Sequence, residues 1–243
     1  MPINYEKVPA RLVSLAKTAA VSLEKQGLAG QRAAVYLVLD RSGSMRRYYK
    51  DGSMQHLAEQ VLGLSANLDD DGVVPTVFFD TEAHEAVDIG LDDYAGRVAE
   101  LHRAYGHMGT TNYAGAMDAV IDHYLDSGAE APAFVVFQTD GSPDSRRAAE
   151  QTLCKAARLP LFWQFIGYGA DRFDFLRRLD DLAVPDRRIV DNANFFPAGK
   201  DPKLIPDGVL YDRLMGEFPD WLRAASAAGI VGPNPAVTPI PGR

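Results

Sequence analysis

The sequence predicts an α/β protein with a mostly parallel central sheet, helices on both of its faces and one short antiparallel edge strand. Four short, nearly continuous apolar runs, 33–39, 73–79, 133–137 and 159–166, are each bounded by Pro, Gly or charged residues. Such runs read as strands buried on both faces, the signature of a parallel sheet covered by helices. Amphipathic stretches with helical spacing lie between them, and strand alternating with helix is the α/β pattern. The chain has 243 residues, 47% hydrophobic and 24% charged, which are globular averages and exclude both wholesale disorder and a fibrous repeat.

Taken in order, residues 9–26 form an amphipathic helix, with Leu12, Leu15, Ala16, Ala19 and Leu23 on one stripe and Gly27 and Gly30 marking its exit. The 33–39 strand ends at Asp40. A helix over about 54–68 leads to the 73–79 strand, and 82–87 reads as the antiparallel edge strand after a turn. Helices follow over 92–103 and 113–125, then the 133–137 strand, a helix over 145–158 and the 159–166 strand. After Gly169, residues 172–182 read as a helix and 188–190 as a last short strand; 207–215 and 218–227 close the fold as helices. No linker separates two cores. One domain therefore spans 31–228, residues 1–30 are an N-terminal helical extension packed on it, and 229–243 form a tail whose Pro233, Pro235, Pro239 and Pro241 predict an extended or mobile segment.

Composition narrows the function. Against 33 Asp and Glu stand 25 Lys and Arg, a net charge of −8 that repels a phosphate backbone and speaks against nucleic acid. The single cysteine, Cys154, can form no intrachain disulfide or thiolate cage, and reads as inert packing. No apolar run reaches the 18 or more residues that span a bilayer, and residues 1–10 lack the basic start and apolar segment of a signal peptide, so the expectation is a cytoplasmic protein without membrane insertion. The five histidines show no His-Glu-x-x-His spacing, which disfavours zinc.

The informative residues sit where strands stop, because ligands of open parallel sheets bind outside the carboxyl ends of the strands. Asp40-Arg41-Ser42-Gly43-Ser44 follows the first strand and can aim a carboxylate and two hydroxyls at one point. Gly109-Thr110-Thr111-Asn112-Tyr113 offers hydroxyls at a helix start. Thr139-Asp140-Gly141-Ser142-Pro143-Asp144 ends a third strand and brings a second carboxylate to the same edge if the strands are neighbours. Two carboxylates with hydroxyl oxygens, and no imidazole or thiolate, describe a hard-cation site for Mg²⁺ or Mn²⁺, and less directly Ca²⁺.

These three ordered motifs strongly resemble the von Willebrand factor A (VWA) domain and its metal-ion-dependent adhesion site, whose pattern is Asp-x-Ser-x-Ser, a distant Thr and a distant Asp. The resemblance covers about 33–189 and implies a Rossmann-like VWA fold. It also implies that Ser42 and Ser44 bind the ion directly, that Thr111 does so directly or through water according to conformational state, and that Asp40 and Asp140 bind directly or through ordered waters. The remaining position would accept an Asp or Glu from a protein partner. Thr110 stands where a second glycine is usual. Residues 40–48, the Gly-Thr-Thr-Asn-Tyr segment and the Phe195-Phe196 region further resemble bacterial tellurium-resistance-associated VWA proteins, which implies a stress-response or metal-resistance setting.

Beside the motifs, Arg41, Arg46, Arg47 and Lys50 read either as a solvated loop or as a positive patch that favours an anionic ligand. Arg41, Arg46 and Arg47, with Thr110 and Asn112, are the candidate partner contacts. Asp144 reads as a helix N-cap or a metal ligand, and Asp80 as a supporting carboxylate or a turn residue. The expected function is a non-enzymatic, cation-dependent protein-binding module. The alternative is a metal-dependent phosphatase or hydrolase, but Ser42 occupies the second carboxylate's place of an Asp-x-Asp phosphotransferase, no Gly-x-Ser-x-Gly elbow is present, and no base is identifiable beside Ser42 or Ser44. Gly167-Tyr168-Gly169 lacks the third glycine of a dinucleotide fingerprint and reads as a turn.

Overall fold

The computed structural model describes residues 8–69, 71–184 and 186–232. Among them one sheet contains β1 (Ala34–Asp40), β2 (Val73–Phe79), β3 (Val87–Gly90), β4 (Ala133–Thr139), β5 (Leu161–Tyr168) and β6 (Ala193–Gly199), in the order β3-β2-β1-β4-β5-β6. β3 pairs antiparallel with β2, and the other neighbours are parallel. The strand order reverses between β1 and β4, so the crevice above their carboxyl ends is the topological switch point of a Rossmann-like sheet.

The apolar runs are continuous because the sheet is buried on both faces. Val35, Leu37 and Leu39 of β1, with Phe134 and Val136 of β4, join one cluster; Tyr36 and Val38, with Val135 and Phe137, join the other. The first face is covered by α1 (Ala10–Lys25), α2 (Arg46–Lys50), α3 (Ser53–Leu68), α4 (Arg97–Ala104), α8 (Asp207–Leu214) and α9 (Phe218–Ala227). The second is covered by α5 (Tyr113–Ser127), α6 (Arg146–Ala156) and α7 (Asp174–Asp180).

The N-terminal helix α1 is seated in the first layer, where Leu12, Leu15, Ala19 and Leu23 are buried against α3 and α8. Gly63 of α3 permits this approach, since a Cβ there would fall 2.7 Å from Leu15 Cβ. Ser22 Oγ donates to Asp212 Oδ1 at 2.9 Å across the α1–α8 contact. Most of the Pro-rich tail, 233–243, lies outside the described residues.

Several elements differ from expectation. The edge strand is Val87–Gly90 rather than 82–87, because residues 80–84 are used in a turn: Asp80 N donates to Glu82 O, His84 N to Phe78 O, and Ala83 forms an isolated bridge with Phe79. The last strand is Ala193–Gly199 rather than 188–190. Residues 188–192 form its approach, held by buried Arg188, whose guanidinium reaches the Leu182 and Asp180 carbonyls and the Asp191 carboxylate. Pro197 is tolerated in β6 because that strand is the sheet's other edge. A 3₁₀ turn at Gly43–Met45 and the short α2 follow β1, and α4 begins at Arg97 instead of 92, after Gly96 with φ +76°. Among the described residues no helix is long and apolar enough to cross a membrane.

Candidate metal centre

All three motifs meet at the switch point. Asp40 is the last residue of β1, and Asp140 follows the last residue of β4, which is the neighbouring strand in register Leu39↔Gln138. Hydrogen bonds join each motif to the other two. Gly43 N donates to Gly109 O at 3.0 Å, Ser44 Oγ to Asp140 Oδ1 at 2.8 Å, and Thr111 N to Asp144 Oδ2 at 3.0 Å. Ser42 Oγ and Ser44 Oγ lie 3.1 Å apart.

Asp40 is completely buried. Its Oδ1 accepts from Ser42 N at 2.7 Å and its Oδ2 from Thr139 Oγ1 at 2.7 Å, and both donors are neutral. Removal from water without a cationic partner pushes its carboxyl up to about 7, against the opposing pull of those hydrogen bonds and with added repulsion from Asp140. Burial also raises Asp140, partly offset by the Ser44 hydroxyl, with Asp171 adding to the rise. Among the described residues neither carboxylate forms an ion pair with Lys or Arg. The two acids and two hydroxyls are thus a donor set short of positive charge, and a hard divalent cation fits it. No three His, Cys, Asp or Glu side chains of the described residues cluster as a metal cage. A cation here would therefore draw its charge balance from the two carboxylates and its other protein donors from neutral hydroxyls.

Other predicted residues have different positions. The Thr111 backbone is fixed from both sides by Asp144, whose own N–H donates to Thr111 O at 2.9 Å, while the Thr111 hydroxyl has no hydrogen-bond partner among the described residues. Asp144 is not the cap of α6: Ser145 fills that place, accepting from Ala148 N at 3.2 Å, and Asp144 instead clamps Thr110 and Thr111. Thr110 is exposed, but its hydroxyl donates to Asp144 Oδ2 at 2.6 Å. Asn112 is the N-cap of α5, accepting from Gly115 N, and also donates to Thr81 O. Gly109 has no room for a side chain, since a Cβ would lie 2.3 Å from Thr81 Oγ1.

The expected positive patch is smaller than its sequence. Arg41 is buried, not exposed: its guanidinium pairs with Asp80 and donates to Gly106 O at 3.0 Å, so it ties the loop before Thr111 to β1 and is no partner contact. Arg46 and Arg47 are both exposed, and Arg47 pairs with Asp201 at 2.5 Å. Arg41→Ala would leave the nearly buried Asp80 carboxylate with only the His84 ring, 3.9 Å away, beside the same oxygen, and urea denaturation is expected to show a loss of about 3 kcal/mol. A loss under about 1 kcal/mol would mean the pair holds nothing together.

Two residues of the quoted motifs have roles that the sequence does not reveal. Thr139 touches Asp40 directly, and the buried Tyr113 hydroxyl lies 2.9 Å from Thr139 Oγ1 and also reaches the Gly141 carbonyl. Thr139 precedes Asp140 at a strand end, but its role depends on β1 and β4 being neighbours. The structure also shows a carboxylate neighbour of Ser44 that the sequence did not reveal, since its hydroxyl donates to Asp140 Oδ1.

Comparison with known proteins matches residues 32–231 to the family vWA-TerF-like, described as the vWA found in the TerF C terminus. The chain belongs to that family. This vWA chain is also 34% identical over 223 residues to the protein YcbR of Bacillus subtilis (strain 168), covering 88% of both chains. Among solved structures it is similar to the manganese-loaded TRAP protein of Plasmodium vivax, with TM-score 0.55 and 20% identity over 76% of this chain and 75% of that one. It is likewise similar to a von Willebrand factor type A structure from Catenulispora acidiphila, with TM-score 0.52 and 14% identity, covering 77% of this chain and 42% of that one. At those identities the two likenesses establish the shared vWA fold.

Proposed function

We propose that this vWA domain is a non-enzymatic, divalent-cation-dependent protein-binding module, working in the cytoplasm and in the tellurium-resistance or stress-response setting that its family resemblance implies. The observation that carries the reading is the convergence of Asp40, Ser42, Ser44 and Asp140 at the switch point without a basic counter-charge. These four residues and Thr111 would hold Mg²⁺, or Mn²⁺ or Ca²⁺ in its place; the manganese in the TRAP structure supports such a choice of ion. The ion would supply Lewis-acidic attraction for an Asp or Glu of the partner. Asp40 and Asp140 would contribute the charge, the seryl hydroxyls would add neutral donors, and Thr139 and Ser42 N hold Asp40 in place. Arg46, exposed shortly after the first motif, is a candidate to help an acidic partner approach.

The test is capture of binding proteins from source-cell extract on immobilised full chain, in Mg²⁺ and in chelator, with wild type and Asp40→Asn side by side. The reading expects proteins retained only by wild type with Mg²⁺. The same set retained in all four arms would contradict it, and turnover of phosphomonoesters that Asp40→Asn abolishes would favour a hydrolase.

A further inference from the structure

A second charged site, which shares no residue with the metal centre, lies in the groove between α6 and α7. A cavity of about 490 Å³ is lined there by Arg146, Arg147, Glu150, Gln151, Arg178 and Arg187. Its volume falls within the range of small-ligand pockets. Glu150 is buried and pairs with both Arg178, at 2.6 Å, and Arg187, which fixes two guanidinium groups beside the groove. Arg146 is anchored only by a 3.3 Å contact to Ser142 Oγ, and Arg147 has no hydrogen-bond or ion-pair partner among the described residues. Four arginines therefore face one carboxylate, a surplus of three positive charges on a chain whose net charge is −8.

That surplus opposes local stability. Arg146 and Arg147 occupy the first turn of α6, where the helix dipole is positive and like charge is unfavourable. Arg178 and Arg187 keep 62% and 53% of their side-chain surface exposed despite their bonds to Glu150, so donors remain open to solvent. A guanidinium presents paired N–H groups that match the oxygen edge of a phosphoryl group. One carboxylate would cancel a third of the excess, whereas a phosphate ester or diphosphate carries charge of the right size. The negative field of the whole chain disfavours an extended polyanion, so the ligand must be compact.

We infer that the α6–α7 groove binds the phosphoryl group of a small soluble phosphate ester or diphosphate. The test is calorimetric titration of the full chain with pyrophosphate at constant ionic strength, in chelator so that no metal can recruit the anion to the Asp40 site. The expected result is saturable one-to-one binding that Asp40→Asn leaves intact. Arg146→Ala/Arg147→Ala should weaken it by about ten-fold or more, and Arg147→Lys, which keeps the charge and loses the fork, should weaken it less. Both arginines are exposed and oppose the helix dipole, so the double variant should keep or raise the melting temperature, a readout independent of ligand. A phosphoserine peptide as a second probe separates the sources of the group: weaker binding than pyrophosphate supports a free ester, and tighter binding overturns the choice of a small soluble ligand. Absence of saturable binding by wild type, or equal affinity in the double variant, overturns the inference. Neither result bears on the metal centre, which shares none of these residues.

Discussion

Asp40→Asn is expected to weaken Mg²⁺ and Mn²⁺ binding at the proposed site by roughly a hundred-fold or more, while raising the stability of the metal-free protein at pH 8 by about 2 kcal/mol. The opposite signs follow from a single fact. Asp40 is a fully buried carboxylate whose partners, Ser42 N and Thr139 Oγ1, are neutral, so its ionised form is unfavourable unless a cation arrives. Asparagine keeps an acceptor for Ser42 N and removes the charge. Its amide then needs Thr139 Oγ1 to accept instead of donate, which the hydroxyl can do by rotation. Calorimetric metal titration and urea denaturation in chelator read the two halves separately. A carboxylate serving the fold alone would give a variant less stable than wild type.

The second large effect is the pH dependence of stability without metal. The folded-state carboxyl of Asp40 sits at about 7, above the usual carboxylate value near 3.8, so the native protein holds a proton that the unfolded chain has released between those values. Stability in chelator should therefore fall as pH rises from about 4 to 7, by at most about 4 kcal/mol from this group. Asp180, also pushed up to about 7 by burial, adds a slope of the same sign. On the proposed reading a divalent cation would bind the ionised form of Asp40, so at pH 7.5 a concentration about 100 times the dissociation constant should restore roughly 2.7 kcal/mol. Asp40→Asn removes the Asp40 share of the slope and leaves those of Asp140 and Asp180, which burial raises in the same direction. Melting curves at pH 5, 6, 7 and 8, with and without Mg²⁺, measure this; profiles unaffected by metal would count against a cation at Asp40.

Much of this centre was legible because its signals are local. Asp40 and Asp140 end unbroken apolar runs, and such runs in a covered parallel sheet deliver their next polar residue to the ligand edge. What escaped depends on long-range pairing. Thr139 matters only because β4 lies beside β1, and Arg41 looks like one of four solvated charges until Asp80, 39 residues away, is brought against it. Asp144 satisfies the composition of a cap but is drawn to Thr110 and Thr111 from across the crevice, leaving Ser145 to cap α6. β6 was misplaced because Asn194 and Pro197 interrupt its apolar pattern, which an edge strand tolerates and a central strand would not.

The arginine groove was hidden for the same reason. Arg146 and Arg147 are adjacent in sequence, but Arg178 and Arg187 reach them only through α7 and the turn that follows, and Glu150 pairs with residues 28 and 37 positions away. Periodicity along the chain marks α6 as a helix without showing what charge faces it.

Anomalous scattering from crystals grown with manganese would bear most directly on the metal centre. One strong peak is expected above the carboxyl ends of β1 and β4, within about 2.2 Å of the Ser42 and Ser44 hydroxyl oxygens and absent from Asp40→Asn crystals. A fully substituted manganese elsewhere on the chain, or none at the crevice at saturating concentration, would contradict the assignment.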